Sequence, residues 1–152
     1  MDVIELLRRQ HDELRQRFDR LEVADLDWRH HELEVLTDAI ALHLQLHERH
    51  LSPVLLPLGL DGQHHQAMPE RHTISRVLDE LAAGGQAMPP APLIELLRAT
   101  VIGHCEREEQ RLFPAILRRL GQVKQELAQA IRETTAAIEN DNWLGARGVR
   151  AW

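Results

Sequence analysis

The alternation of apolar and polar positions along the chain predicts a series of amphipathic α-helices. Apolar residues that recur every three or four positions lie on one face of a helix, and two long stripes of this kind open the sequence. The second stripe changes from aliphatic side chains to imidazoles as it proceeds. Because these histidines share a stripe with core residues, we expect them to face the interior or its rim. The stripes are Ile4, Leu7, His11, Leu14, Phe18 and Leu21, and then Leu33, Leu36, Ile40, His43, His47, His50 and Val54.

Two further helices are predicted in the middle of the chain. The third runs from near Gln66 to Ala83, where Gly84-Gly85 ends it, and it carries His72 on the flank of its apolar stripe. The fourth carries both histidine and glutamate in its stripe. Proline lacks an amide hydrogen, so we expect Pro114 to kink the fourth helix or to mark an irregular last turn. The stripes are Ile74, Val77, Leu78 and Leu81, and then Leu93, Leu97, Val101, His104, Glu108, Leu112 and Ala115.

The last part of the chain adds one more predicted element. A fifth helix near 122–139 has its own apolar stripe, which covers the bundle or binds a partner, and the tail over 140–152 has no assigned structure. We therefore predict an all-α fold. It is an antiparallel up-down four-helix bundle over 1–120, with a C-terminal helix and tail over 121–152 in the same domain.

A repeat relates the two halves of the predicted bundle. Several residues of the first half recur with the same identity 61 positions later. Two copies of one helical hairpin, each with histidine on both helices, predict a pseudo-two-fold bundle whose side chains converge at its centre. Bundle cores build dinuclear metal sites in this way. The matching pairs include His11 and His72, His43 and His104, Glu48 and Glu109, and Pro53 and Pro114.

Composition restricts the function classes. The chain has 152 residues, which suits one domain, and 43% of them are hydrophobic but only 3% aromatic, so its core is mainly aliphatic. A formal net charge of −6 argues against nucleic-acid binding. The single cysteine, Cys105, suits a reducing compartment, and the sequence shows neither an apolar leader nor a run of membrane-spanning length. We therefore expect a cytoplasmic protein that binds neither nucleic acid nor a membrane.

Ligand-type residues one helical turn apart carry the strongest chemical signal. His43 and His47 are four residues apart, as are His104 and Glu108, so each pair shares a helix face and can reach one ion or two adjacent ions. Burying an unpaired imidazole costs about 1–3 kcal/mol, and a buried carboxylate costs more, whereas a bound cation removes both penalties. We therefore predict a metal site with these ligands: His11, His43, His47, Glu48, His72, His104 and Glu108.

Some of these assignments have alternatives. His47 is either a ligand or a buried residue behind the ligands, and Glu48 is either a bridging carboxylate or a solvated helix residue. Glu109 is better placed for the surface than for the metal. Cys105 points about 100° away from its neighbour His104, which favours an ordinary buried thiol over a ligand.

These residues resemble the hemerythrin-like (HHE cation-binding) family over residues 3–120. The most specific match is His104-x-x-x-Glu108-Glu109-x-x-Leu112-Phe113-Pro114, and His11-Asp12-Glu13-Leu14 is similar to the family's first-helix signature. The resemblance implies an antiparallel four-helix bundle around a non-heme, usually di-iron, centre. Members of the family bind or sense dioxygen, handle nitric oxide or peroxide, or bind iron itself.

His47 departs from the family pattern, which has glutamate at that point. An imidazole bridges two metals poorly, so three arrangements stay open. Glu48 supplies the second bridge, or one carboxylate and an oxide or hydroxide hold the two metals, or the site is mononuclear.

Three functions follow from this chemistry. Imidazole and carboxylate suit iron, zinc or manganese, and cellular supply decides among them because intrinsic affinity does not favour ferrous iron. Our first hypothesis is a protein with two iron ions, oxo- or hydroxo-bridged, that binds a diatomic molecule or peroxide, and whether it is an enzyme stays open. The second is a regulatory module whose fifth helix and tail pass the state of the metal to a partner or mediate oligomerisation. The third is a structural bundle that binds zinc or no metal.

Overall fold

The computed structural model describes residues 3–85 and 88–119, and then positions 125–126, 129–130, 132–134, 136–137 and 140. These residues are predominantly helical, and no β-strand occurs among them, which confirms the predicted all-α class. Most of the predicted fifth helix and nearly all of the 140–152 tail lie outside the described residues, although the described positions from 125 to 140 are helical. None of the described helices combines the length and hydropathy that a membrane crossing needs.

Within residues 3–119, the described helical segments form four rods. The first is α1 (Val3–Val23). The second runs through α2 (Leu26–Leu46), the π-helical turn π1 (His47–Leu51) and α3 (Ser52–Leu55), and the third is α4 (Asp61–Ala83). The fourth runs through α5 (Ala91–Arg107), the π-helical turn π2 (Glu108–Leu112) and α6 (Phe113–Arg119). The third helix therefore begins at Asp61 and not at the predicted Gln66, and it continues through Pro69.

The four rods contact one another in the manner expected of two hairpins. α1 packs on α2 and α4 packs on α5, and the hairpins are joined by contacts of α1 with α5 and of α2 with α4. The Asp25 side chain caps the second rod, since one of its oxygens accepts a hydrogen bond from the Trp28 backbone N–H at 3.2 Å. These neighbours are those of the predicted four-helix bundle, whose up-down order stays a prediction.

The core consists of two apolar clusters with a polar layer between them. One cluster contains Leu7 and Leu46, and the other contains Leu14 and Ile40. His11 lies between Leu7 and Leu14 on α1, and His43 lies between Ile40 and Leu46 on α2. The histidine stripes of the sequence thus become one layer of imidazoles, enclosed above and below by aliphatic side chains.

The two π-helical turns repeat the 61-residue offset of the sequence. π1 begins at His47 and π2 at Glu108, and in each the residue after the turn donates its N–H to the carbonyl five positions back. The next residue is Pro53 or Pro114, whose ring has no N–H and would clash with the carbonyl four positions back in a regular helix. The wider turn relieves that clash. The irregularity expected at Pro114 is confirmed, but it precedes the proline, at Glu108–Leu112, and is not the last turn, because the helix continues to Arg119. Pro53 has the same effect in the second rod.

Candidate metal centre

Four buried side chains from three rods direct their ligand atoms to one place. They are His11 of α1, His43 of α2, His104 of α5 and Glu108 of π2, and none is more than 3% exposed. One donor atom of each lies within 4.8 Å of the donors of the other three. The ring of Phe113 stacks on that of His11, with centroids 5.4 Å apart, and holds the imidazole in place. The structure therefore brings together four of the seven predicted ligands.

The separations between these donor atoms are close to those around a single metal ion. His11 Nε2 lies 3.5 Å from Glu108 Oε1, and His43 Nε2 lies 3.4 Å from the same oxygen and 3.3 Å from His104 Nε2. Ligands held at about 2.1 Å from one ion are about 3.4 Å apart in a tetrahedron and about 3.0 Å apart at adjacent octahedral positions. The separation of His104 Nε2 from Glu108 Oε1, 2.5 Å, is shorter than either value.

Hydrogen bonds on the outer side of each imidazole orient its inner nitrogen for metal binding. His11 Nδ1 lies 3.2 Å from Glu109 Oε1, His43 Nδ1 lies 2.8 Å from Gln10 Oε1, and His104 Nδ1 lies 3.1 Å from Glu70 Oε1. Because each Nδ1 faces an oxygen acceptor, we assign the proton to Nδ1 and a free lone pair to Nε2. Outer acceptors of this kind fix the ring and its tautomer in metal sites.

A metal ion fits the inner atoms of this cluster. His11 Nε2 and Glu108 Oε1 are buried, and in the assigned tautomers neither atom has a hydrogen-bond partner among the described residues, because the nearby His104 Nε2 carries a lone pair and no proton. Leaving a buried polar atom unpaired costs about 1–3 kcal/mol, and an ion between the lone pairs and the carboxylate removes that cost. Imidazole with carboxylate suits iron, manganese or zinc.

The pKa values of His43 and Cys105 agree with a site whose ligands are imidazoles and a carboxylate. Burial lowers the pKa of His43 to about 4, so the ring is neutral near pH 7 and its lone pair is available. Burial also raises the pKa of the Cys105 thiol to about 12, which keeps it protonated. Cys105 is therefore the buried thiol that the sequence favoured.

His47 lies beside the four-residue cluster and contacts the other oxygen of Glu108. Its side chain is 2% exposed, and its Nε2 lies 3.1 Å from Glu108 Oε2. Its Nδ1 lies 3.3 Å from Ser52 Oγ and 3.3 Å from Arg71 Nη1. The structure thus buries His47 as predicted, with its ring centroid 5.9 Å from that of His104.

The structure does not bring His72 or Glu48 to the cluster, which corrects two of the predicted ligands. Both residues are exposed. His72 lies two positions from the buried Ile74, which turns it about 200° around α4, away from the face that packs on the bundle. Glu48 follows the buried His47, and one step of about 100° along the helix carries it to the surface. The solvated alternative for Glu48 is the one observed.

Sequence reasoning did not assign the outer partners Gln10, Glu70 and Arg71. Glu70 lies four residues before Ile74, on the buried stripe of α4, and its side chain is 8% exposed and paired with Arg107 and His104. The stripe spacing was the signal that could have found it. Glu109, expected at the surface, is 21% exposed, and it also accepts hydrogen bonds from Arg15. Arg15 and His11 hold the pKa of Glu109 below its usual range against the effect of burial.

A cavity of about 50 Å³ adjoins the cluster on the His47 side of Glu108. Its wall includes His47, His104, Glu108 and Arg71, together with the aliphatic Leu55 and Leu112. A water needs about 10–15 Å³ of such space, so the cavity holds a few waters or one small molecule.

Comparison with known families agrees with this geometry. The Hemerythrin HHE cation binding domain matches residues 2–116, which is most of the chain, and the protein therefore belongs to that family. The resemblance stated from the sequence is confirmed. Comparison with curated proteins and with solved structures gives no significant match. Membership of this family implies metal binding, and the buried His/Glu cluster is a place in the described residues where a metal can bind.

Proposed function

We propose that the protein is a non-heme iron protein, built as an up-down four-helix bundle, that binds a small molecule at its metal. His11, His43 and His104 supply three Nε2 ligands, and Glu108 supplies a carboxylate that offsets the charge of the ion. The observation that carries the proposal is the convergence of these donors, each imidazole held from outside by an oxygen acceptor. In a core held only by hydrogen bonds, His11 Nε2 and Glu108 Oε1 would not face each other without a hydrogen bond to either atom.

The donor set and the cavity favour iron with an exchangeable ligand. Sites built from histidine and carboxylate that keep open positions are typical of non-heme ferrous proteins. The cavity reaches His104 and Glu108, and its volume suits dioxygen, nitric oxide or peroxide.

An anaerobic titration with ferrous iron tests the proposal. The wild-type chain should retain at least one equivalent of iron after gel filtration, and exposure to air or nitric oxide should change its optical spectrum. His104→Ala should lose most of the iron because it removes a central ligand. His72→Ala is the matched control, since it removes an exposed histidine from the same chain and should leave the iron content unchanged. Iron well below one equivalent in the wild type, with zinc bound instead, would support the structural alternative and refute the proposal.

The regulatory alternative depends on residues 121–152, most of which lie outside the described residues. We propose, as a secondary role, that this segment binds a protein partner or a second copy of the chain. Deleting residues 140–152 should then abolish that association and leave the iron content intact. Loss of iron on deletion would contradict this division of roles.

A further inference from the structure

The hydrogen-bond partners of His47 place its ring proton on a different nitrogen from that of the other three buried imidazoles. Arg71 Nη1 lies 3.3 Å from His47 Nδ1, and a guanidinium can only donate a hydrogen bond, so this nitrogen accepts. The Ser52 hydroxyl, also 3.3 Å away, can donate to the same atom. The ring proton of neutral His47 must therefore be on Nε2, where it is donated to Glu108 Oε2 at 3.1 Å. His11, His43 and His104 carry their protons on Nδ1.

We propose that His47 is a positioning residue that donates a hydrogen bond to Glu108, and that Arg71 takes the place of a second metal ion, so the centre holds one ion. This inference rests on the proposed function and specifies its metal site. The nitrogen of His47 that faces the centre carries a proton and offers no lone pair to a metal. Glu108 then binds the ion through Oε1 and is held through Oε2.

The donors near Glu108 are too few for a second ion. Among the described residues, the donors close enough together to hold an ion are those of His11, His43, His104 and Glu108, and His47 is not among them. An ion next to Oε2 would find His47 in the wrong tautomer. The third rod, which would have to complete such a site, presents His64, Glu70 and Arg71 to the cavity and leaves His72 at the surface. Glu70 is already paired with His104 Nδ1 and with Arg107, and His64 Nδ1 is hydrogen bonded to Arg71.

Arg71 supplies a fixed positive charge at this position. Its guanidinium hydrogen bonds to two imidazoles, His47 and His64, the latter at 3.2 Å, and it lines the cavity next to the carboxylate of Glu108. A guanidinium stays charged at any pH at which the protein is folded. It therefore repels a second divalent cation and balances part of the charge of Glu108.

The sequence repeat agrees with a single ion. His47 and Glu108 are 61 residues apart and occupy equivalent positions at the start of π1 and π2. A symmetric site would have a carboxylate at both positions, one for each of two bridges. Here the position in π1 carries His47, which donates a hydrogen bond to Glu108 at the equivalent position in π2. The pair therefore provides one carboxylate ligand.

Imidazole nitrogen NMR tests the tautomer directly. Protein labelled with 15N-histidine is measured without metal and after loading with zinc, which is diamagnetic, and the His47 signals are assigned from their absence in His47→Gln. We expect His47 to have a protonated Nε2 and a bare Nδ1 in both samples. A protonated Nδ1 together with a metal-shifted Nε2 would make His47 a ligand and overturn the proposal.

Ion stoichiometry tests the count. Wild type should bind one ferrous ion per chain. His47→Gln, whose amide can still donate to Glu108, should bind that ion within about tenfold of the wild-type affinity, whereas His104→Gln should lose about a hundredfold or more. Arg71→Glu removes the charge and adds a carboxylate, so it should bind a second ion. Arg76→Glu is the matched control, an exposed arginine on the same helix that lies 4.0 Å from Glu80, and it should bind one.

The outcomes separate the two proposals. Two ions in the wild type, or a His47→Gln variant as weak as His104→Gln, overturn the present inference and leave the proposed function standing. A single ion in Arg71→Glu shows that Arg71 does not exclude the second ion and overturns that part. A wild-type chain that binds no iron overturns the proposed function itself.

Discussion

Loading the metal-free protein with ferrous iron should stabilise it by about 2–6 kcal/mol. The magnitude follows from the two buried atoms that lack a partner, His11 Nε2 and Glu108 Oε1, each of which costs about 1–3 kcal/mol when unpaired. Free ion at about a thousand times its Kd gives about 4 kcal/mol by mass action, which lies within that range. Each kcal/mol raises the Tm of a chain of this size by about 2–4 °C, so an increase of roughly 5–20 °C is expected.

Anaerobic thermal unfolding followed by circular dichroism measures this shift. The same scan on His104→Ala should show almost no change on adding iron, because the variant lacks one of the central ligands. The exposed His72 again supplies the control, and His72→Ala should shift as the wild type does. A wild-type Tm that does not change with excess iron, although iron is bound, would refute the reasoning, because the ion would then be held outside the buried cluster.

Three further predictions follow from the surroundings of the cluster. Glu109→Ala should weaken iron binding by about 10–100-fold in a chelator competition, because His11 loses its outer acceptor, and Glu109→Gln should weaken it less. Cys105 should resist iodoacetamide in the native protein and react on unfolding, as mass spectrometry can show, because burial raises its pKa to about 12. The metal-free protein should lose stability as the pH falls from 6.5 towards about 4, because His43 takes up a proton in the unfolded chain while burial keeps the folded ring neutral. The midpoint of urea unfolding, measured across this pH range, reports the loss.

Each of these predictions has an outcome that contradicts it. Equal affinities for Glu109→Ala and wild type would show that the outer hydrogen bond does not orient His11. Rapid native alkylation of Cys105 would mean that the layer around it opens readily. Urea midpoints that stay flat between pH 6.5 and 4 would show that His43 is not kept neutral by burial.

Much of the fold and of the cluster could be predicted because the relevant signals are local. The three-four spacing placed His11, His43 and His104 on buried faces, and the one-turn spacing placed Glu108 beside His104. The 61-residue repeat correctly related the two irregular turns, since proline imposes the same local constraint in both halves.

In the third helix, the 61-residue repeat led to an incorrect expectation for His72. It matched His72 to His11 by identity, but the direction of a side chain depends on which face of the helix packs, and the stripe through Ile74 and Val77 turns Glu70 inward and His72 outward. The sequence of the second helix left two roles open for His47 and could not decide between them. Its tautomer is set by Arg71, a residue 24 positions away on another rod, and only the packing of the rods brings the two together.

Anomalous diffraction at the iron edge from crystals of the iron-loaded protein tests the central claim most directly. The account predicts one iron peak inside the bundle, about 2.1 Å from Nε2 of His11, His43 and His104 and from Oε1 of Glu108. No peak between these four side chains, or iron bound elsewhere on the chain, would contradict it.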